Sequence, residues 1–310
     1  MSNILIIKHG SLGDLIQANG AFKDIKNFYK NRKVFLLTSE PYAVFMSECP
    51  YIDGVIIDKR FPRWNIFYLN KLKNNLKKYN FSKVFDLQNS SRTKFYKKFI
   101  ISKVEWSSSE SSLEPGQTKK DFDKEPVLDR MEIQLNKSGI ETEFIKHLDL
   151  EWALTDISRL TKQYANDEFI LLFPFCSKKL PQKKWPYYKD LIFRLKQDYK
   201  QKYPILLAPG PNEIEEANKL GGKVVLDQNN PISIKILISL ISKAKLIIAN
   251  DTGPAHIASH LKKNGIVLFG SHTTAQKVSI GNENFKVVSV KDLKDLSVQM
   301  VLDEVKTKLN

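Results

Sequence analysis

Apolar residues along the chain fall into short runs and helical stripes that alternate twice over. Residues 4–8 form an apolar run with β-branched side chains and read as a buried strand. Gly10 and Gly13 follow, then a helical pattern over 14–29. Strand-like runs recur at 33–38, 54–57 and 84–87. Helical patterns cover 41–48 and 65–79, the latter with Ile66, Leu69, Leu72 and Leu76 on one face. Residues 107–125 are rich in Ser, Gly, Pro and charge, which predicts an exposed, mobile loop. A helix over 128–139 closes on a glycine. The alternation then restarts, with strands predicted at 169–174, 204–208, 224–226, 246–249 and 266–269. Helices are predicted at 186–199, 213–220, 233–243, 253–261 and 294–308. Two consecutive sets of β-α units predict an α/β protein of two doubly wound domains with a cleft between them. The crossover falls in 149–159, giving a first domain over 1–155 and a second over 156–310, the terminal helix being free to pack back on the first. Ligands of such sheets sit outside the carboxyl ends of the strands, where this chain's unusual residues fall.

Composition agrees with two globular domains: 310 residues, 42% hydrophobic and 27% charged. Two cysteines exclude a disulfide scaffold and a four-cysteine zinc site. The opening segment lacks a basic n-region, and no window approaches the ~18 apolar residues of a membrane span. A cytoplasmic protein is expected, with any membrane touched from the cytoplasmic side. The net charge of +15 calls for an anionic partner: nucleotide, nucleic acid or acidic membrane. The excess peaks in residues 51–100, with twelve basic against three acidic residues. Phe61, Trp64, Phe67, Tyr68 and Phe95 lie among them. Basic residues with interleaved aromatics suit nucleic acid or anionic lipid headgroups, while Lys71, Lys73, Lys77 and Lys78 also fit a plain solvated helix face.

Four loops carry chemistry. Lys8-His9-Gly10-Ser11-Leu12-Gly13-Asp14 joins a strand to a helix but matches neither a Walker loop nor G-x-G-x-x-G. Its Asp14 is either an N-terminal cap or a positioned carboxylate. In Asn250-Asp251-Thr252-Gly253-Pro254-Ala255-His256, Asp251 or Thr252 can cap the next helix. The N–H groups of Thr252 and Gly253 would then face an anion such as a pyrophosphate, with His256 as a further donor. Lys178, Lys179, Lys183 and Lys184 flank Trp185, as phosphate ligands or as a basic surface loop. Glu213, in Pro209-Gly210-Pro211-Asn212-Glu213, either accepts from a ribose or favours a helix dipole.

Taken together, ILIIKHGSLGD (4–14), KKWP (183–186), GPNE (210–213) and NDTGPAH (250–256) resemble the glycosyltransferase family that contains the lipopolysaccharide heptosyltransferases. The likeness covers most of the chain and is weakest over 95–128 and beyond 271. It implies a GT-B fold, two Rossmann-like domains facing across a cleft, with acceptor on the first and nucleotide sugar on the second. It implies inverting transfer with no metal and no cofactor beyond the nucleotide sugar; the best-known members take heptose from ADP-heptose to the inner core of lipopolysaccharide. Carried onto this chain, the general base falls on Asp14 and the phosphate-binding lysine on Lys183, with Lys184 as its neighbour. Asp251 would hold sugar hydroxyls, Thr252, Gly253 and His256 would face the diphosphate, and Glu213 would hold the ribose. Lys8, Gly13, Gln88 and Arg92 fall on the acceptor side, with Arg60 and Arg130 behind them. The basic 51–100 block would then meet an anionic glycolipid during transient contact with the inner membrane, and no nucleic acid is expected. One departure stands out: where family members often have Gly-Pro-Thr after the late strand, this chain has Gly270-Ser271-His272-Thr273.

Competing classes fit less of the chain. A nucleic-acid binder would use the basic block but leave Asp251–His256 without a role. A nicotinamide oxidoreductase lacks its G-x-G-x-x-G, and neither a nucleophile elbow nor an H-E-x-x-H helix is present. Another GT-B transferase or epimerase, using a different nucleotide sugar, remains the alternative within the fold.

Overall fold

The computed structural model describes residues 2–165, 168–199 and 202–309. It divides into two compact units, Met1–Trp152 and Ala153–Asn310. In the first, strands β1 (Asn3–Ile7), β2 (Val34–Thr38), β3 (Gly54–Ile57), β4 (Phe81–Asp86) and β5 (Glu105–Ser107) form one parallel sheet of order β3-β2-β1-β4-β5. Helices α1 (Leu12–Gln17), α2 (Asn19–Phe28), α3 (Glu40–Ser47), α4 (Ile66–Lys77), α5 (Ser91–Phe99), α6 (Lys119–Phe122) and α7 (Val127–Asn136) connect or follow the strands. Leu5, Ile7, Leu37 and Ile56 of the sheet pack on Leu69, Leu72 and Leu76 of α4 and on Tyr96 near α5's end. The helical stripe read over 65–79 is therefore this core face.

The second unit opens with α8 (Ser158–Tyr164) and holds β6 (Ile170–Phe173), α9 (Tyr188–Asp198), β7 (Ile205–Leu207), α10 (Ile214–Asn218) and β8 (Lys223–Val224). A short antiparallel pair, β9 (Leu226–Asp227) and β10 (Asn230–Pro231), follows. Then come α11 (Ile234–Lys243), β11 (Leu246–Asn250), α12 (Gly253–His260), β12 (Gly265–Phe269), β13 (Phe285–Ser289) and α13 (Val298–Leu309). The main sheet is parallel, with order β13-β12-β11-β6-β7-β8. Its central strands are buried on both faces, as their unbroken apolar runs require. The terminal helix α13, which was free to pack on either domain, packs on α9 and β12 of its own unit.

Strand order reverses between β1 and β4 in the first sheet and between β6 and β11 in the second. Those switch points are where open α/β sheets hold ligands, and the loops after β1, β6 and β11 are three of the four singled out above, the fourth following β7.

Several expectations need correction. The single helix at 14–29 is two helices, α1 and α2, meeting at Ala18. A Cβ on Gly20 would lie 2.0 Å from the Phe144 carbonyl oxygen, so glycine there lets a distant segment cross the helix, and Asp24 accepts the Glu143 and Phe144 N–H groups. Residues 107–125 are an exposed loop only in part, with residues 114–116 exposed. Ser107, Ser108, Ser109 and Ser112 are buried, and α6 lies within the stretch. Two of these buried hydroxyls find partners: Ser112 Oγ donates to the Ser108 carbonyl (2.8 Å), and Ser107 Oγ accepts from Ser138 Oγ (2.7 Å). Strands β5 and β13 and helices α5 and α8 also lie outside the elements read from the pattern. Among the described residues, no helix is long and apolar enough to cross a membrane.

Candidate active site

In the first unit the site begins where β1 ends. Gly10 turns the chain at φ +118°, and a Cβ there would lie 2.3 Å from the Tyr42 ring, so this position takes glycine for both reasons. Ser11 caps α1, and Asp14, in its first turn, returns the bond: Asp14 Oδ2 accepts from Ser11 N–H (2.7 Å) and Ser11 Oγ (2.9 Å). The capping reading of Asp14 is thus real, but its side chain is still 41% exposed and its other oxygen, Oδ1, lies 3.9 Å from Lys8 Nζ. Buried Gly13 sits inside α1, one residue before it.

Lys8 is buried and donates to the Leu87 carbonyl at 3.0 Å, joining the loops after β1 and β4. Burial lowers its pKa, while Asp14 and Asp86 pull it back up and Arg130 lowers it further. Gln88 Oε1 accepts the His9 N–H at 2.8 Å. Lys8, Asp14 and Gln88 therefore form one cluster at the switch point. Arg130, paired with Asp123 at 3.3 Å, acts on that cluster electrostatically.

Arg60 and Arg92 belong to a second cluster beneath the loop. Arg92 donates to Tyr96 Oη (2.8 Å) and to the carbonyls of Arg60 (3.0 Å) and Phe61 (2.8 Å), so its guanidinium holds a segment in shape. The centre is Asp58, fully buried, which accepts from Tyr96 (2.7 Å), Tyr68 and the Arg60 N–H (2.8 Å) and lies 2.8 Å from His9 Nε2. Burial alone would raise its pKa, but the bonds from His9, Tyr68 and Tyr96 outweigh it and hold the carboxyl well below the usual range.

In the second unit, the loops after β6 and β11 are tied by Asn250, at 0% exposure. Its Nδ2 donates to the Pro174 carbonyl (2.9 Å), and its Oδ1 accepts from Trp185 N–H and Tyr188 Oη, each at 3.3 Å. This fixes Lys183, three residues earlier in chain order than Pro186, against the head of α12. Lys183 Nζ donates to Asp251 Oδ2 at 2.6 Å. His272 Nε2 lies 3.0 Å from the same oxygen, and His256 Nε2 lies 3.6 Å from Oδ1. The Asp251 side chain is 1% exposed, so both oxygens face cations or ring nitrogens. Burial would raise its pKa, yet bonds from His256 and Lys183 hold it well below the usual carboxylate range. Thr252 caps α12, Gly253 is its first residue, and Pro254 lies in its first turn. An incoming anion would meet the positive end of α12 with Lys183 beside it.

His272 was not among the candidates. The only hint was its place in the Gly-Ser-His departure after β12; nothing local connects it to Asp251, which lies 21 residues away.

A pocket of about 500 Å³ lies beside this cluster, lined by Phe175, Ser177, Lys184, Gly210, Glu213 and Glu216, among others. That volume lies within the range of small-ligand pockets. Glu213 is half-buried and accepts the Gly210 N–H at 2.7 Å, and burial raises its pKa. Lys184 pairs with Glu216 rather than joining Asp251. The four lysines thus separate: Lys183 belongs to the α12 head and Lys184 to the pocket wall.

Behind the head of α12, His260 stacks on His256 with ring centroids 6.5 Å apart. Burial, then the charge of His256, depresses its pKa from 6.5 to about 3. A depressed histidine contributes stability above its unfolded pKa and loses it as pH falls towards the folded value. Between about pH 7 and pH 5, wild type should lose about 2 kcal/mol more than His260→Gln in chemical denaturation. Equal losses in the two proteins would show that His260 does not stay neutral in the folded chain.

Comparisons with known proteins concern the chain as a whole. The family model for glycosyltransferase family 9 (heptosyltransferase) matches residues 69–305. The chain is 25% identical to lipopolysaccharide heptosyltransferase 1 of Campylobacter coli, covering 89% of this chain and 87% of that protein. Among solved structures, E. coli heptosyltransferase WaaC with ADP superposes with a TM-score of 0.71 at 18% identity, covering 99% of each chain. E. coli ADP-heptose lps heptosyltransferase II gives 0.73 at 18% identity, covering 99% of this chain and 98% of that one. The GT-B expectation is borne out at the level of the fold.

Proposed function

Because the chain belongs to glycosyltransferase family 9 and is a glycosyltransferase, we propose that it moves heptose from ADP-heptose to an anionic lipopolysaccharide-core acceptor, with inversion and without a metal. The observation that carries this reading is the Lys183 ammonium fixed 2.6 Å from buried Asp251 at the head of α12. A fixed positive charge beside a helix N-terminus is what a departing diphosphate needs, and it supplies the neutralisation that a metal supplies elsewhere.

In this reading residues 156–310 take the donor. The diphosphate lies over Thr252, Gly253 and His256, the sugar hydroxyls reach towards Asp251, and Glu213 holds the ribose in the pocket that Lys184 borders. Residues 1–155 take the acceptor, through Lys8, Gly13 and Gln88 with Arg60 and Arg130, while Arg92 holds the segment that carries Arg60. The acceptor hydroxyl oxygen attacks the anomeric carbon and its proton passes to Asp14. The bond from that carbon to the diphosphate breaks, and ADP leaves with its new charge beside Lys183. The acceptor is presented at the cytoplasmic face of the inner membrane, where the protein binds peripherally; nucleic acid is not a partner. The solved relative containing ADP supports the choice of nucleotide.

Donor binding tests the reading directly. At roughly 100 times its dissociation constant, ADP-heptose should stabilise the chain by about 2.7 kcal/mol, read as a melting shift. UDP-sugars should give no comparable shift. Stabilisation by a UDP-sugar alone would sink the ADP-heptose reading. It would favour the second one, a GT-B transferase or epimerase for another nucleotide sugar, which the Gly270-Ser271-His272 sequence after β12, with His272 3.0 Å from Asp251, favours.

A further inference from the structure

The first unit displays apolar side chains that its core does not use. Trp64 is 80% exposed, Ile66 66% and Phe67 92%, and Phe61, which meets Tyr68 edge-on, is 45% exposed. Single exposed apolar residues are ordinary, but four within seven positions form a patch. The segment carrying them is ordered. Arg92 holds the Arg60 and Phe61 carbonyls, Asp58 accepts the Arg60 N–H, Arg63 reaches the Ser91 carbonyl at 3.4 Å, and Asn65 caps α4.

Its position and charge say what it meets. The segment follows β3 in a parallel sheet, so it lies at the same end as the Lys8–Asp14 loop, to which the His9–Asp58 contact of 2.8 Å joins it. Lys59, Arg60 and Arg63 are exposed within it, and no acidic residue occurs between Asp58 and Asp86. Rings this exposed project from the surface instead of lining a groove, which suits entry into a soft phase better than stacking with nucleobases.

We propose that residues 59–67 dock the first unit on an anionic lipid bilayer. Trp64, Ile66 and Phe67 enter the interfacial zone, and Lys59, Arg60 and Arg63 meet lipid phosphates. Docking there presents the carboxyl end of the first sheet to the membrane, with Asp14 at the same end. Its purpose rests on the reading of a membrane-presented acceptor, but its test uses neither donor nor acceptor.

Flotation of the full chain with phosphatidylglycerol-rich vesicles, against pure phosphatidylcholine, is the measurement. The chain should float with the anionic vesicles only, and added salt should release it. Tryptophan emission should shift to the blue on binding, and Trp64→Ala should remove the shift, since Trp106 and Trp185 are already buried and Trp152 is stacked on Phe45. Trp64→Ala/Phe67→Ala should keep the wild-type circular dichroism and melting temperature yet bind vesicles at least about ten-fold more weakly. Equal vesicle binding by wild type and double variant overturns the proposal. So does a concentration-dependent self-association that the double variant abolishes, which assigns the patch to a second copy, or oligonucleotide binding without flotation. A chain that floats but transfers no sugar keeps the docking surface and rejects the function above; one that transfers sugar from ADP-heptose without floating does the reverse.

Discussion

Asp14→Asn should lower sugar transfer by roughly 10²–10⁴-fold while leaving donor affinity close to wild type. The substitution keeps shape and an oxygen that can accept the Ser11 N–H and hydroxyl bonds, now 2.7 and 2.9 Å, so α1 keeps its cap. What it removes is the capacity to take a proton. Loss of turnover with an unchanged melting temperature would separate the base from the cap. Steady-state rates with saturating donor, together with donor titration, make the distinction. Normal turnover would remove Asp14 as the base and leave it a helix cap.

The second large effect belongs to Lys183. Lys183→Ala should reduce kcat by roughly 10²–10³-fold, the scale of losing one preorganised charge from a developing anion. It also takes from buried Asp251 its 2.6 Å partner. His256 and His272 remain at 3.6 and 3.0 Å, and with them the carboxylate keeps partners, so the second unit should still fold. Lys183→Arg should recover only part of the rate, because a planar guanidinium does not reproduce a point charge in that position. Single-turnover measurements would show whether chemistry is what slows. An unchanged single-turnover rate in Lys183→Ala would assign Lys183 to structure alone.

The loops that carry these two residues were legible in the sequence for the same reason, while the resemblance put the base on Asp14 and the phosphate-binding lysine on Lys183. Each residue lies in a short loop between a clear strand and a clear helix, where glycine, capping residues and charge are concentrated. The α4 stripe was legible too, since Leu69, Leu72 and Leu76 recur at helical spacing and pack as that spacing requires. The misreadings have a different origin. Ser107–Ser109 look like a solvent loop by composition, but they are buried against distant segments: Ser138 Oγ donates to Ser107 Oγ (2.7 Å) and Ser109 N–H donates to Asn89 Oδ1 (2.6 Å), and composition does not report that. Arg92 reads as an available cation. It is committed to Tyr96 and to carbonyls 31 and 32 residues away. His272 reads as part of a departure from the family's loop, and its contact with Asp251 depends on two loops meeting after β11 and β12.

The amino-acid sequence by itself determined the alternation of elements, the two-domain division and the four chemical loops. Strand and helix periodicity, caps and glycines act over a few residues, so they can be read locally. It also determined that the basic excess is concentrated in 51–100, but not how that charge is used. Only the tertiary structure decided that Lys8, Asp14 and Gln88 share one switch point and that Lys183, His256 and His272 converge on one buried carboxylate. Only it separated Lys183 from Lys184, and Arg92, which is internally bonded, from Trp64 and Phe67, which are exposed. Strand order, burial and the partner of each charge are set by contacts between segments distant along the chain, and no local pattern encodes which distant group arrives.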